Sequence, residues 1–97
     1  MLSNKTSDLF AKWYQNNPNA LPGLFDELPE LVRLAYYVAF FDEQALIIEV
    51  TKWSDLVWQY FLDDGEHYPD NRNFNTRHEA LTEAVTKANG ILNLKLK

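Results

Sequence analysis

The sequence predicts an α+β domain: two N-terminal helices, a small antiparallel sheet of two or three strands, and a C-terminal amphipathic helix. Three observations carry this. Apolar residues recur at helical spacing up to Phe41 and then alternate from Ala45 onward. Asp64-Gly65 supplies the dipeptide that tolerates positive φ in a hairpin turn. Thr76-Arg77-His78-Glu79 has the spacing of a capping box at the head of an apolar-faced helix. The alternative is an all-α bundle, because Leu46, Val50, Trp53 and Val57 also fit a helical face, with Ser54 then capping a helix to Leu62.

In chain order, Ser7 or Thr6 is placed to cap a first helix through Asn16, with Leu9, Phe10, Trp13 and Tyr14 on its apolar side. Asn16-Asn17-Pro18 stops it, and Leu21-Pro22-Gly23 reads as a turn. A second helix is expected to begin between Asp26 and Pro29, with Asp26 as a cap and Pro29 in the first turn, and to run to about Phe41. Its stripe of Leu31, Leu34, Ala35, Val38 and Phe41 is widened nearly all round by Val32, Tyr36, Tyr37, Ala39 and Phe40. A helix apolar on so many sides is buried on more than one of them, by its own domain or by a partner, so homodimerisation through it is an expectation.

Ala45–Lys52 is rich in β-branched residues and reads as a strand, joined by Trp53-Ser54-Asp55 to a second one over Leu56–Leu62. That second strand sets Leu56, Trp58, Tyr60 and Leu62 on one face, and Val57, Gln59 and Phe61 on the other. After the Asp-Gly turn, Glu66-His67-Tyr68 pairs back until Pro69 ends it, and Asp70–Asn73 is a loop. The last helix starts at Thr76, stapled by Phe74, with Ala80, Leu81, Ala84, Val85 and Ala88 inward and Asn89-Gly90 as its stop. Beyond it Leu92, Leu94 and Leu96 alternate with Asn93, Lys95 and Lys97, the pattern of an edge strand over Ile91–Lys97 guarded by lysines.

Composition narrows the function classes. The chain has 97 residues, 46% of them hydrophobic, which suits one small globular domain over 1–97. It contains no cysteine, which removes disulfides, thiolate metal sites and thiol nucleophiles and fits a reducing compartment. The longest apolar run, Leu34–Phe41, has eight residues, far short of the roughly 18 a membrane span needs. Met1–Ser7 is polar apart from Leu2, unlike a secretory leader, so a cytoplasmic location is expected. A net charge of −5 without a basic stripe disfavours nucleic-acid phosphates as a partner.

Reactive constellations are sparse. Ser3, Ser7 and Ser54 are explained by caps and turns, and no G-x-S-x-G is present. Gly23, Gly65 and Gly90 are isolated, so no phosphate cradle forms. The acidic loop of Asp63, Asp64, Glu66 and His67, with Asp70 nearby, is the one candidate for a hard cation, since oxygen ligands on a turn can converge. Its spacing is not that of an EF-hand, and turn geometry alone explains the residues. His67 and His78 are a poor zinc pair. No cofactor and no enzymatic activity are expected.

The aromatic residues are conspicuous, at 14% of the chain. Trp and Tyr are enriched at the hot spots of protein interfaces, which marks Tyr36, Tyr37, Phe40, Trp53, Trp58 and Tyr60 as interface candidates. The competing reading is that they pack the core.

From Trp58 onward the chain resembles small uncharacterised proteins of bacteriophages and prophages. In these a Trp- and Tyr-rich hairpin runs into a helix that opens with an aromatic residue followed by x-T-x-x-E-A and continues as A-I/V-x-K-A. The matching residues are Trp58, Tyr60 and Tyr68, then Phe74-Asn75-Thr76-Arg77-His78-Glu79-Ala80 and Ala84-Val85-Thr86-Lys87-Ala88. Gly90 departs from the pattern, which carries an acidic residue there. The resemblance implies a small accessory protein of a mobile element and brings no catalytic residue with it. That it acts by binding another protein is the expectation from the aromatic excess, the broad apolar face of the second helix and the absence of a catalytic constellation.

Overall fold

The computed structural model describes residues 2–18, 20 and 25–97, and for residues 67–71 the backbone alone. The elements are helix α1 (Asn4–Gln15), a single 3₁₀ turn (Phe25–Glu27), helix α2 (Glu30–Glu43), strands β1 (Ile47–Ser54), β2 (Val57–Asp63) and β3 (His67–Phe74), and helix α3 (Arg77–Lys95). The α+β expectation holds, and the all-α alternative does not. The strands form an antiparallel meander in the order β1-β2-β3. Helix α3 packs on the sheet, and α1 and α2 pack against α3.

Helix α1 starts earlier than its serines and threonine suggested. Its N-cap is Ser3, whose side chain makes no capping bond, while Thr6 is buried inside the first turn. The acceptors come from α3 instead. Asn89 Oδ1 accepts the Ser3 N–H at 2.9 Å, and Asn93 Oδ1 accepts the Thr6 N–H at 3.0 Å. In return Lys5 Nζ donates to the Leu96 carbonyl at 2.9 Å, placing a cation at the negative end of α3. The expected turn at Leu21-Pro22-Gly23 lies outside the described residues.

In α2, Pro29 occupies the N-cap itself (φ −54, ψ 146) rather than the first turn, and Asp26 belongs to the 3₁₀ turn before it rather than capping the helix. The helix ends in a Schellman motif: Leu46 N–H bonds the Phe41 carbonyl at 2.9 Å and Ala45 N–H bonds that of Asp42 at 3.0 Å. Ala45 takes the left-handed conformation (φ 60) that this motif gives to glycine. The buried pair Phe41 and Leu46 holds the turn closed.

The two strands expected between Ala45 and Leu62 are present, shifted by one or two residues. Val50 stands opposite Tyr60 and Ile48 opposite Leu62, and these face the helices; Ile47, Glu49 and Thr51 face away, opposite Asp63, Phe61 and Gln59. The connection is Asp55-Leu56, not Trp53-Ser54-Asp55, so Leu56 falls in the turn and is 80% exposed instead of lying inward on β2. The second turn spans Asp64-Gly65-Glu66, and only Gly65 has positive φ (98), so it is not the two-residue primed turn that Asp-Gly suggested. Pro69 does not end β3. The strand continues to Phe74 because it is an edge strand, where a missing N–H breaks no ladder, and an irregularity between Trp58 and Tyr60 absorbs the extra residues.

The largest departure is the C-terminus. Helix α3 runs through Gly90 to Lys95, and the expected edge strand over Ile91–Lys97 does not form. Leu81, Ala84, Val85, Ala88 and Leu92 are all buried at spacings of three, four and seven, so Leu92 continues the helix's inner face. That burial, with the bonds of Asn89 and Asn93, outweighs the roughly 1 kcal/mol a helical glycine costs. At the other end the Thr76 hydroxyl accepts the Glu79 N–H at 3.1 Å, as the capping motif predicts. The buried residues form one core, centred on Leu34, Phe40, Phe41, Leu62, Ala84 and Val85.

Candidate interaction surface

The six aromatic interface candidates separate by burial. Tyr37, Phe40 and Tyr60 are core residues, with exposures of 7%, 0% and 4%, and cannot serve an interface without unfolding. Phe10 is the hub of their cluster: its ring lies 5.0 Å from Phe25, 5.0 Å from Tyr37 and 5.3 Å from Phe40, all edge-on. Burial pushes the Tyr37 hydroxyl above the usual tyrosine pKa, partly offset by the Arg33 guanidinium. Tyr36 is half-buried against Tyr14 at 5.2 Å, on the same cluster's rim. The apolar breadth of α2 is thus absorbed mainly by its own domain, leaving Leu31 as its exposed large apolar side chain.

Trp53 and Trp58 lie on the β1–β2 hairpin. Trp58 is half-buried with the Lys52 ammonium 6.0 Å from its ring, whereas Trp53 is 73% exposed. Leu56, in the turn three residues after Trp53, is the most exposed large apolar side chain described. Sequence reasoning missed Leu56 because alternation from Trp58 and Tyr60 assigned it inward. The signal was its position beside Asp55 in the only gap between the two alternating runs.

The acidic loop resolves into turn chemistry. Asp63 Oδ1 accepts the Gly65 N–H at 2.9 Å and Asp64 Oδ1 accepts the Glu66 N–H at 3.1 Å, so consecutive side chains brace the turn. The other Asp64 oxygen pairs with Lys95 in the last turn of α3. That hydrogen bond holds the Asp64 carboxyl below the usual aspartate pKa. Glu66 is exposed at the tip, and the His67 side chain lies outside the described ones. Among the described residues no group of three or more His, Asp or Glu side chains is placed to hold a metal ion. His78 stands 3.3 Å from Glu30, bridging α3 to α2.

A depression of about 670 Å³ between α1 and α2 is lined by Leu9, Lys12, Trp13, Ala39, Asp42 and Glu43, with the Trp13 indole N–H donating to Glu43. Among the described residues no helix is long and apolar enough to cross a membrane. What the geometry defines is a small α+β protein with a three-stranded meander, helices on one side and apolar residues displayed on a hairpin. No family model, curated protein or solved structure matches the chain.

Proposed function

We propose that this chain is a non-enzymatic protein-interaction protein, an accessory factor of a phage, prophage or other mobile element working in the cytoplasm. The observation that carries the reading is the β1–β2 hairpin tip. Trp53 and Leu56 lie on either side of Ser54-Asp55 there, 73% and 80% exposed, while the rest of the large apolar residues on this hairpin turn at least partly inward or lie further along the strands. Large apolar side chains held out on a rigid hairpin cost solubility and add nothing to the core, so their use is in contact with another surface. Tryptophan at the centre of such a contact is among the commonest energetic anchors. The mobile-element part of the reading rests on the Phe74–Ala88 motif.

The test is affinity capture from the protein's native cells with the wild type and the Trp53→Ala/Leu56→Ala variant side by side. A protein retained by the first and lost by the second is expected, with both forms melting at the same temperature. If the two recover identical sets, the hairpin tip is not a binding surface.

A further inference from the structure

We propose that an aromatic cleft between α1, the 3₁₀ turn and α2 binds a small organic ammonium ion, an amine carrying an apolar or aromatic substituent. The site is built from the helices and owes nothing to the hairpin tip, so it goes beyond the function proposed above.

The cleft has a volume of about 370 Å³, inside the ~300–1,000 Å³ range of small-molecule sites. Its α1 wall follows from spacing. Ser7, Phe10, Ala11 and Tyr14 fall at i, i+3, i+4 and i+7 and so share one helix face. Two of these four side chains are small, which leaves space in front of the opposite wall of Phe25, Asp26 and Tyr37. The Phe25 ring lies 5.0 Å from Phe10, 5.0 Å from Tyr14 and 5.4 Å from Tyr37, so the four rings form one continuous lining.

Two polar groups in this lining lack partners. Tyr37 is only 7% exposed, yet its hydroxyl makes no hydrogen bond among the described residues. Burying a hydroxyl without a partner is costly, and a ligand that hydrogen-bonds it removes that cost. Asp26 makes no ion pair among the described residues and is the one ionised side chain among those that line the cleft. The two groups are close enough to interact. Burial raises the Tyr37 pKa most, Arg33 lowers it, and the Asp26 carboxylate raises it again. Arg33 itself does not line the cleft.

This combination selects the ligand by charge. A carboxylate beside the π-electrons of four rings attracts a cation and repels an anion. An ammonium N–H donates to Asp26 and to the Tyr37 oxygen, and the rings cover the apolar substituent. A bare metal ion does not fit, because among the described residues no three His, Asp or Glu side chains converge.

The test follows the amide chemical shifts of the full chain as phenethylamine, phenethyl alcohol or hydrocinnamate is added to millimolar concentration near neutral pH. The three probes share a ring and carry a positive, neutral or negative end group. Phenethylamine is expected to give saturable shifts at Ser7, Ala11 and Asp26, with phenethyl alcohol about tenfold weaker, the worth of a hydrogen bond to a charged group, and hydrocinnamate silent. Asp26→Asn should bring the amine down to the level of the alcohol. Ala11→Leu, at an exposed helical position that accepts leucine, fills the cleft and should abolish binding of both. Tyr37→Phe removes the hydroxyl alone and should weaken the amine severalfold. Unchanged hairpin amides and melting curves verify the fold of each variant. The absence of a saturable shift, equal binding of the three probes, or shifts centred elsewhere each overturns the proposal. So does wild-type affinity for the amine in any of the three variants.

Discussion

The side chain of Asn89, in the middle of α3, holds the first turn of α1: its Oδ1 accepts the Ser3 N–H at 2.9 Å and its Nδ2 donates to Ser3 Oγ at 3.0 Å. Asn89 is buried, and the Thr6 hydroxyl, also buried, reaches the Asn89 carbonyl at 3.5 Å. A helix cap that is local in most proteins is here a tertiary contact across more than eighty residues of sequence.

Asn89→Ala is therefore expected to cost about 1–2 kcal/mol, the loss of a cap plus an unpaired buried amide. Asn89→Asp keeps the acceptor beside the positive end of α1 and should lose less. Urea denaturation measures both. Hydrogen exchange should show the first turn of α1 opening selectively in the alanine variant.

Gly90 provides a test of sign. Its φ is not positive, and a Cβ there meets nothing within 4 Å. Gly90→Ala should then stabilise the protein by about 0.5–1 kcal/mol through helix propensity. Had the helix ended at a left-handed Gly90, the same change would destabilise. Thermal melting separates the two outcomes.

Ala45 presents the opposite case. It holds φ 60 at the Schellman position, a conformation that disfavours any residue with a Cβ by about 1 kcal/mol. Ala45→Gly should raise stability by up to about 1 kcal/mol, in spite of glycine's greater freedom when unfolded. Chemical denaturation midpoints at constant m-value would report it.

Asp64 links stability to pH. Its carboxyl is held below its ordinary value of 3.8, chiefly by the hydrogen bond from Lys95. The contribution is complete above that ordinary value, where both folded and unfolded forms are ionised. It is lost as the pH falls through the lower, folded value. Asp64→Asn should melt below the wild type at neutral pH, and the gap should close as acid protonates Asp64. A gap unchanged down to the wild type's acid transition would argue that Lys95 contributes nothing there.

The legible parts of the fold were those with local causes. The Thr76 cap, the Phe41-to-Ala45 change of period and the place of the turn at Gly65 are each written within a few residues. The first two stand as expected in kind, and the turn stands in its expected place with one residue more than a primed turn has. The misplaced boundaries have remote causes. Ser3 caps α1 only because Asn89 and Asn93 face it. The alternation of Leu92, Leu94 and Leu96 looked like a strand, but Leu92 is equally four residues after Ala88. Among the aromatic candidates, period alone could not tell Tyr36 from Tyr37, which differ by one step around α2 and by half-burial against near-complete burial. The acidic tip was read as a turn or a cation site from the same letters. Only the approach of Lys95 showed where one of its carboxylates was used.

By itself the sequence determined the class of fold, since hydrophobic period and capping are properties of neighbours along the chain. It determined the acidic charge and the lack of thiols as well, which need no structure at all. Tertiary structure decided which apolar residues remain outside. That depends on which faces meet: α3 covers one side of the sheet and leaves the other open. Trp53 and Leu56 stay in solvent because the hairpin carries them beyond the reach of any helix, whereas Phe40 and Tyr60, chemically alike, lie where the layers close.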